Sequence, residues 1–295
     1  MSLRWQLWLE SVLAPSRIVD RHKRLSLERP VILMGRGKSG TRLLAWACTA
    51  LGVAIGATPR RPSGDIEHRY FRQTVRTLAR RNLTARTHTD FPPWDVAWFQ
   101  HAVDHAWSML RRIQPDAILW GWKWPETYLI APLVLRTFPR ARFIHIVRDG
   151  RDVAFKHHLT DDLSRPLGQA LLRHLGAQTE PHYLQAARSW QYQVEVYRQF
   201  SALLAPDQHL DLTYEDLCRA PQEMLEQVAA FLGLPMTTAV RDYAGEIRQD
   251  NIKQFYQAPE SQLREVEALI GSTLSALGYS LVTSSPIRPP LRAAT

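Results

Sequence analysis

Cysteine is scarce: the chain of 295 residues has two, Cys48 and Cys218. Two thiols so far apart build neither a disulfide framework nor a metal cluster. Both lie in apolar stretches and read as buried free thiols of a reducing compartment. Long apolar runs are missing too. No stretch approaches the roughly 18 uncharged apolar residues that a spanning helix needs. Internal repeats, zinc-finger spacings, a basic-aromatic nucleic-acid module and any His/Cys/carboxylate pattern that demands a metal are also absent. What remains is ordinary globular material, 45% hydrophobic and 22% charged, long enough to bury one large core. The balance is basic: 37 Lys and Arg against 28 Asp and Glu, a net charge of +9. Most of that charge reads as solvated surface, but it also suits a polyanionic ligand.

The stretch from Pro30 to Gly52 organises the rest. Val31-Ile32-Leu33-Met34 is an apolar run that reads as a buried strand. Gly35-Arg36-Gly37-Lys38-Ser39-Gly40-Thr41 is small and flexible, with a cation in its middle. Arg42 to Leu51 reads as a helix stopped by Gly52. Strand, glycine loop and helix form the layout that holds phosphate: backbone N–H groups converge on the anion, and the helix N-terminus adds partial positive charge. Arg36, Gly37, Lys38, Ser39, Gly40, Thr41 and Arg42 are therefore candidate anion-binding residues. The plain alternative is a tight strand-to-helix turn. A Walker A loop competes more closely, but its opening glycine would fall at Ile32, and Thr41-Arg42 rather than Lys-Ser follows Gly40.

The rest of the chain alternates between strands and helices. Residues 1–29 read as a leading amphipathic helix, with Trp5, Leu9, Val12 and Leu13 on one face, and a basic connector. Trp5 and Trp8 beside Arg17, Arg21, Lys23 and Arg24 suit a peripheral membrane contact, although packing on the domain is the simpler reading. Residues 57–116 form a helical excursion carrying many tryptophans. Further strands are expected at Ala117–Trp120, Arg142–Val147 and His209–Thr213. Helices are expected at about Thr127–Thr137, after Arg148, and at Leu184–Leu204, Pro221–Phe231 and Glu260–Leu277. Residues 160–183 read as an irregular flap and 281–295 as a flexible tail. Four short apolar strands alternating with helices predict an α/β, three-layer arrangement, a central parallel sheet covered on both faces, in one domain over about 30–280.

A second anchor follows the third strand: Arg148-Asp149-Gly150-Arg151-Asp152-Val153-Ala154. Read plainly, it is a capping turn with solvated arginines. Read functionally, Arg148 at a strand's C-terminal end grips a phosphate with two parallel hydrogen bonds. KSGT after one strand, then VRDGRDVA about 110 residues later after another, resembles the sulfotransferases that use 3′-phosphoadenosine 5′-phosphosulfate (PAPS), especially the bacterial ones. LDLTYEDLCRAPQEMLEQVAAFLGLP and the NIKQFYQ…LIGSTLSALGY ending extend the likeness over roughly 30–280.

The resemblance implies a P-loop-NTPase-like sulfotransferase fold and metal-independent, in-line transfer from PAPS to a hydroxyl or amine of a carbohydrate, lipid or small molecule, with no nucleic-acid partner. It assigns Lys38, Ser39, Gly40, Thr41 and Arg42 to the 5′-phosphosulfate, Lys38 also acting in catalysis. It gives Arg148 to the 3′-phosphate and sets Lys156 where the family usually has serine. Tyr214 falls near the adenine, a position a core tyrosine fits equally. Lys123, in GWKWPET, matches a lysine touching the transferring sulfate, or else is a surface lysine between two tryptophans. Glu67, in GDIEHRYF, is the candidate general base, with His68 and Glu126 in reserve. A cytoplasmic protein, peripheral to a membrane at most, is expected. An ATP–magnesium kinase and a non-catalytic anion-binding module are the competing classes.

Overall fold

The computed structural model describes Asp20 and residues 23–56, 63–84 and 91–282. The proposed leading helix with Trp5 and Trp8, apart from a helical turn over 23–27, and the tail beyond Val282 lie outside the described residues.

Strand β1 (Val31–Met34) is followed by α1 (Thr41–Ala50), β2 (Val53–Ala54), α2 (Arg69–Thr84), α3 (Pro93–Ile113) and β3 (Leu119–Lys123). A 3-10 turn (Pro125–Ile130) leads into α4 (Ala131–Thr137), β4 (Arg142–Val147) and the short α5 (Gly150–Ala154). Then come α6 (Pro166–His174), α7 (His182–Ser201), β5 (His209–Thr213), α8 (Tyr214–Arg219), α9 (Pro221–Leu232), α10 (Thr238–Glu246) and α11 (Glu260–Ala276).

The five strands form one parallel sheet in the order β2-β3-β1-β4-β5. β1 is fully buried and lies between β3, where Val31 faces Gly121, and β4, where Val31 faces Arg142. Its side chains alternate. Ile32 and Met34 join the core under α2, α3 and α4, while Val31 and Leu33 join the core under α1, α8 and α9. That period of two is the pleat, and it yields the two-sided, three-layer build that the sequence predicts. The chain leaves β1 for β2 and β3 on one side, then crosses to β4 on the other. The loop after β1 therefore opens at the switch point, where ligands of open α/β sheets bind.

Several elements differ from expectation. The sheet has a fifth strand, β2, whose two residues are too few to show a pattern. β3 runs to Lys123 instead of stopping at Trp120, because glycine at 121 lets it lie against the Val31 carbonyl, where a side chain would collide. The expected flap contains α6, which buries Leu167, Leu171 and Leu172 and packs on α2. Pro166, in the stretch that reads as irregular, stands at its first turn and starts this helix. α10 was not anticipated.

Candidate active site

The site is built from the ends of β1, β3 and β4. After Met34 the chain turns with Lys38 in the left-handed region, φ 77°, which few non-glycine residues adopt. Gly40 is also left-handed, φ 92°, and an added Cβ would lie 2.5 Å from the Tyr214 ring. Only glycine lets the turn pass that ring. The Ser39 N–H donates to the Arg36 carbonyl at 3.1 Å. α1 starts at Thr41 with no acidic residue in its first turn and no side-chain cap, so its positive end faces the loop uncompensated.

Arg148, just past β4, faces this loop. Its Nη1 donates to the Lys38 carbonyl at 3.3 Å, and its Nη2 donates to Asp152 at 2.9 Å and to the Asn251 carbonyl. Its guanidinium lies 4.4 Å from the Tyr214 ring centre, a cation–π contact. Asp152 also accepts the Lys253 and Phe255 N–H groups, each at 2.9 Å, drawing residues 251–255 across the site. Lys156 reaches Gln254 at 3.0 Å. Burial, then the charge of Arg148, pushes the Lys156 pKa below its ordinary value. Asp149 caps α5 through the Arg151 N–H at 2.9 Å, and Arg151 spans from Asp149 to Glu267 at 2.5 Å. Asp149 caps the helix as the plain reading has it, but Arg151 is buried in ion pairs where that reading has solvated arginines, and Arg148 faces the cleft.

Lys123, carried in by β3, closes the third side. Its ammonium donates to Asp65 Oδ1 at 2.5 Å and to the Ser63 carbonyl at 2.9 Å. Together these walls enclose a cleft of about 500 Å³. Gly37, Lys38, Gly40, Thr41, Arg42, Lys123, Arg148, Lys156 and Tyr214, all singled out from the sequence, line it.

Arg36, Ser39 and Glu67 do not line it. Arg36 is fully buried beneath the loop, paired with Asp161 and donating to the Gly37 carbonyl at 3.0 Å. Burial lowers its pKa, and Asp161 opposes that. Ser39 is buried, its hydroxyl without a partner among the described residues. Glu67 is half-buried, and its N–H donates to the Gly56 carbonyl at 3.0 Å. Of the reserves, His68 caps α2 by accepting the Phe71 N–H at 3.2 Å. Glu126 is 1% exposed, and burial raises its pKa to about 7. Its carboxylate has no hydrogen-bond partner among the described residues and lies 3.7 Å from Arg76.

Asp65 and His158 are cleft residues that the sequence reading missed. Asp65 stands two positions before Glu67 in the same motif, so a carboxylate there was visible. His158 carried no sequence signal. Its ring rests on Gly37, where a Cβ would strike it. Burial first, then the neighbouring cations beginning with Arg36, drives its pKa well below the usual histidine value, so it stands neutral at pH 7.

Buried polar atoms in a native fold normally have partners. Ser39 Oγ and Arg148 Nε have none among the described residues. Arg148 lines the cation-lined cleft and Ser39 lies buried in the loop beside it, where an anionic ligand would complete the hydrogen bonds of the arginine. Among the described residues no group of three or more His, Cys, Asp or Glu is placed to hold a metal ion, and no helix is long and apolar enough to cross a membrane.

A glycine loop, a helix N-terminus and a strand-end arginine meeting at the switch point of a parallel sheet define an α/β protein that binds phosphate groups. The model of the sulfotransferase family matches residues 30–238, and the chain belongs to that family. A protein-tyrosine sulfotransferase of Drosophila melanogaster is 27% identical over 127 residues, which are 43% of this chain and 23% of that protein. The chain thus spans under a quarter of that relative's length. Sulfotransferase STF9 of Mycobacterium avium superposes with a TM-score of 0.53 at 14% identity, covering 94% of this chain and 82% of its own. The sulfotransferase domain of the curacin biosynthetic pathway gives 0.51 at 16% identity, covering 86% and 99%. Mouse sulfotransferase SULT7A1, solved with PAP, gives 0.50 at 14% identity, covering 88% and 90%.

Proposed function

We propose that the cleft binds PAPS and that the chain transfers its sulfuryl group to a hydroxyl. The observation that carries this reading is the pair of anion grips on neighbouring strands, the loop after β1 and Arg148 after β4, joined by the Arg148–Lys38 hydrogen bond. Two grips suit a nucleotide with two separated phosphate groups. Lys38, Ser39, Thr41, Arg42 and the Gly37 and Gly40 backbone take the phosphosulfate end. Arg148 and Lys156 take the 3′-phosphate, and Tyr214 lies on the side of the base. Arg36 supports the loop from below through Asp161.

In the reaction the S–O bond to the donor phosphate breaks as an S–O bond to the acceptor oxygen forms. Lys38 offsets the charge that develops on the departing phosphate oxygen, and Lys123 approaches the moving sulfuryl group. Such transfer is catalysed mainly by positioning and charge stabilisation. The acceptor proton needs a base. We assign that role to Asp65, the carboxylate that lines the cleft and is oriented by Lys123. Glu67, two residues on, is the alternative.

Thermal stabilisation by PAP (3′-phosphoadenosine 5′-phosphate), against AMP and ATP–magnesium, tests the donor. PAP should stabilise selectively, and Arg148→Ala should weaken its binding by ~10–100-fold, the range for a charge-assisted bidentate contact. Stabilisation by ATP–magnesium alone would sink the reading. For the base, Asp65→Asn should retain the PAP effect and lose at least ~100-fold in turnover of a hydroxyl acceptor found by screening with PAPS, while Glu67→Gln stays near wild type. The reverse pattern moves the role to Glu67.

A further inference from the structure

A second cavity, of about 820 Å³, adjoins the cleft. One face of α2 lines it through Tyr70, Thr74, Arg76 and Arg80, opposite Trp98 of α3 and Leu167 of α6. Neighbouring residues wall the two spaces at two places. His158 lines the cleft and the next residue, Leu159, lines the cavity. Pro125 lines the cleft, and the carboxylate of the next residue, Glu126, lies 3.7 Å from Arg76 on the cavity wall.

The walls carry apolar and aromatic side chains, and several of the polar groups set in them can donate hydrogen bonds. Among the described residues the hydroxyl of fully buried Thr74 has no partner, and the Trp98 indole N–H and Arg76 Nε are buried without one. A buried donor left unpaired is costly, so these groups ask for acceptor oxygens from a ligand. Arg76 and Arg80 add positive charge at the same wall. Arg165 stands at the rim, partly offset by Asp162 at 3.6 Å. Among the described residues no acidic residue lines the cavity. Its size is that of a pocket for a small molecule.

Resting on the donor reading of the cleft, we propose that this cavity holds the acceptor. We infer that the acceptor is a small amphipathic molecule, an apolar or aromatic body bearing an oxyanion such as a carboxylate, phosphate or sulfate. Thr74, Trp98, Arg76 and Arg80 bind the oxyanion, Tyr70, Trp98 and Leu167 bind the body, and the hydroxyl end passes Leu159 into the cleft. There its oxygen forms the new bond to sulfur as the donor's S–O bond breaks, and its proton goes to Asp65.

The test uses two fluorescent probes with one body: 1-anilinonaphthalene-8-sulfonate, which is anionic, and neutral N-phenyl-1-naphthylamine. Each is titrated into the folded chain with saturating PAP, and PAP stabilisation is measured on the same samples. The sulfonate should bind at a stoichiometry of one, at least tenfold tighter than the neutral probe. Arg80→Gln and Thr74→Val should each weaken it several-fold while leaving the neutral probe and PAP stabilisation unchanged. Equal affinity of the two probes, or sulfonate binding untouched by both substitutions, overturns the proposal. Sulfonate selectivity without PAP stabilisation would overturn the donor reading and leave the anion cavity standing. PAP stabilisation without sulfonate selectivity would do the opposite.

Discussion

At Lys38 a left-handed backbone, φ 77°, costs a side-chain-bearing residue about 1–2 kcal/mol. The conformation keeps the lysine exposed in the cleft while Ser39 is buried beneath it. The strain belongs to the backbone and the function to the ammonium, so they can be separated. Lys38→Gly should be more stable than Lys38→Ala by about 1 kcal/mol in urea unfolding, because glycine relaxes the turn that alanine still strains. Both should lose at least ~100-fold in turnover, having no cation to place in the cleft. Equal stability of the two variants would refute the strain account, and retained turnover would refute the role of Lys38.

The site is held together by contacts between elements that the chain itself keeps apart. Gly40, at the start of α1, touches the ring of Tyr214, the first residue of α8. Gly40→Ala would place a methyl group 2.5 Å from that ring at φ 92°. Either the ring or the helix start must move, at a cost of about 1–3 kcal/mol. The expected result is a lower melting temperature together with weaker PAP stabilisation, since the α1 N-terminus and the loop shift as one. A loss of stability with PAP stabilisation intact would mean that the helix start does not help to hold the nucleotide. On the other side of the site, Asp152 couples α5 to residues 251–255 by accepting the Lys253 and Phe255 N–H groups, and it holds Arg148 as well. That explains how a segment 100 residues downstream comes to wall the cleft.

The stability of the whole molecule should carry the mark of one carboxyl. Glu126 is buried between the cleft and the second cavity, and its pKa rises from 4.5 to about 7, with Arg76 only partly opposing the effect of burial. The folded state therefore holds a proton that the unfolded state has released between pH ~4.5 and ~7. Stability falls as pH rises through that window, by roughly 3 kcal/mol if Glu126 acts alone. Glu126→Gln keeps the shape and removes the titration. The melting temperature of the variant minus that of the wild type should be higher at pH 8 than at pH 5. A difference that does not change with pH would mean that Glu126 is ionised in the fold throughout.

What the sequence alone determined was local. An apolar four-residue run, a glycine loop and a helix stop specify β1, its loop and α1 without reference to anything distant. RFIHIV followed by RDGRD likewise specifies a buried strand ending in an arginine. Parallel pairing and the two covered faces follow from strands that are apolar on both sides. What only the tertiary structure decided were pairings across long separations. Arg36 stands in the loop among the anion-binding candidates, yet Asp161 draws it beneath the loop. Asp65 rather than Glu67 faces the cleft because the Ile66 N–H pairs with the Lys123 carbonyl at 3.1 Å, laying that segment along the end of β3. α6, hidden in sequence by its opening proline, becomes a wall of the second cavity only by packing on α2. A periodic pattern records which face of an element is apolar, but the partner of a single charged side chain depends on which other segment the completed fold brings beside it.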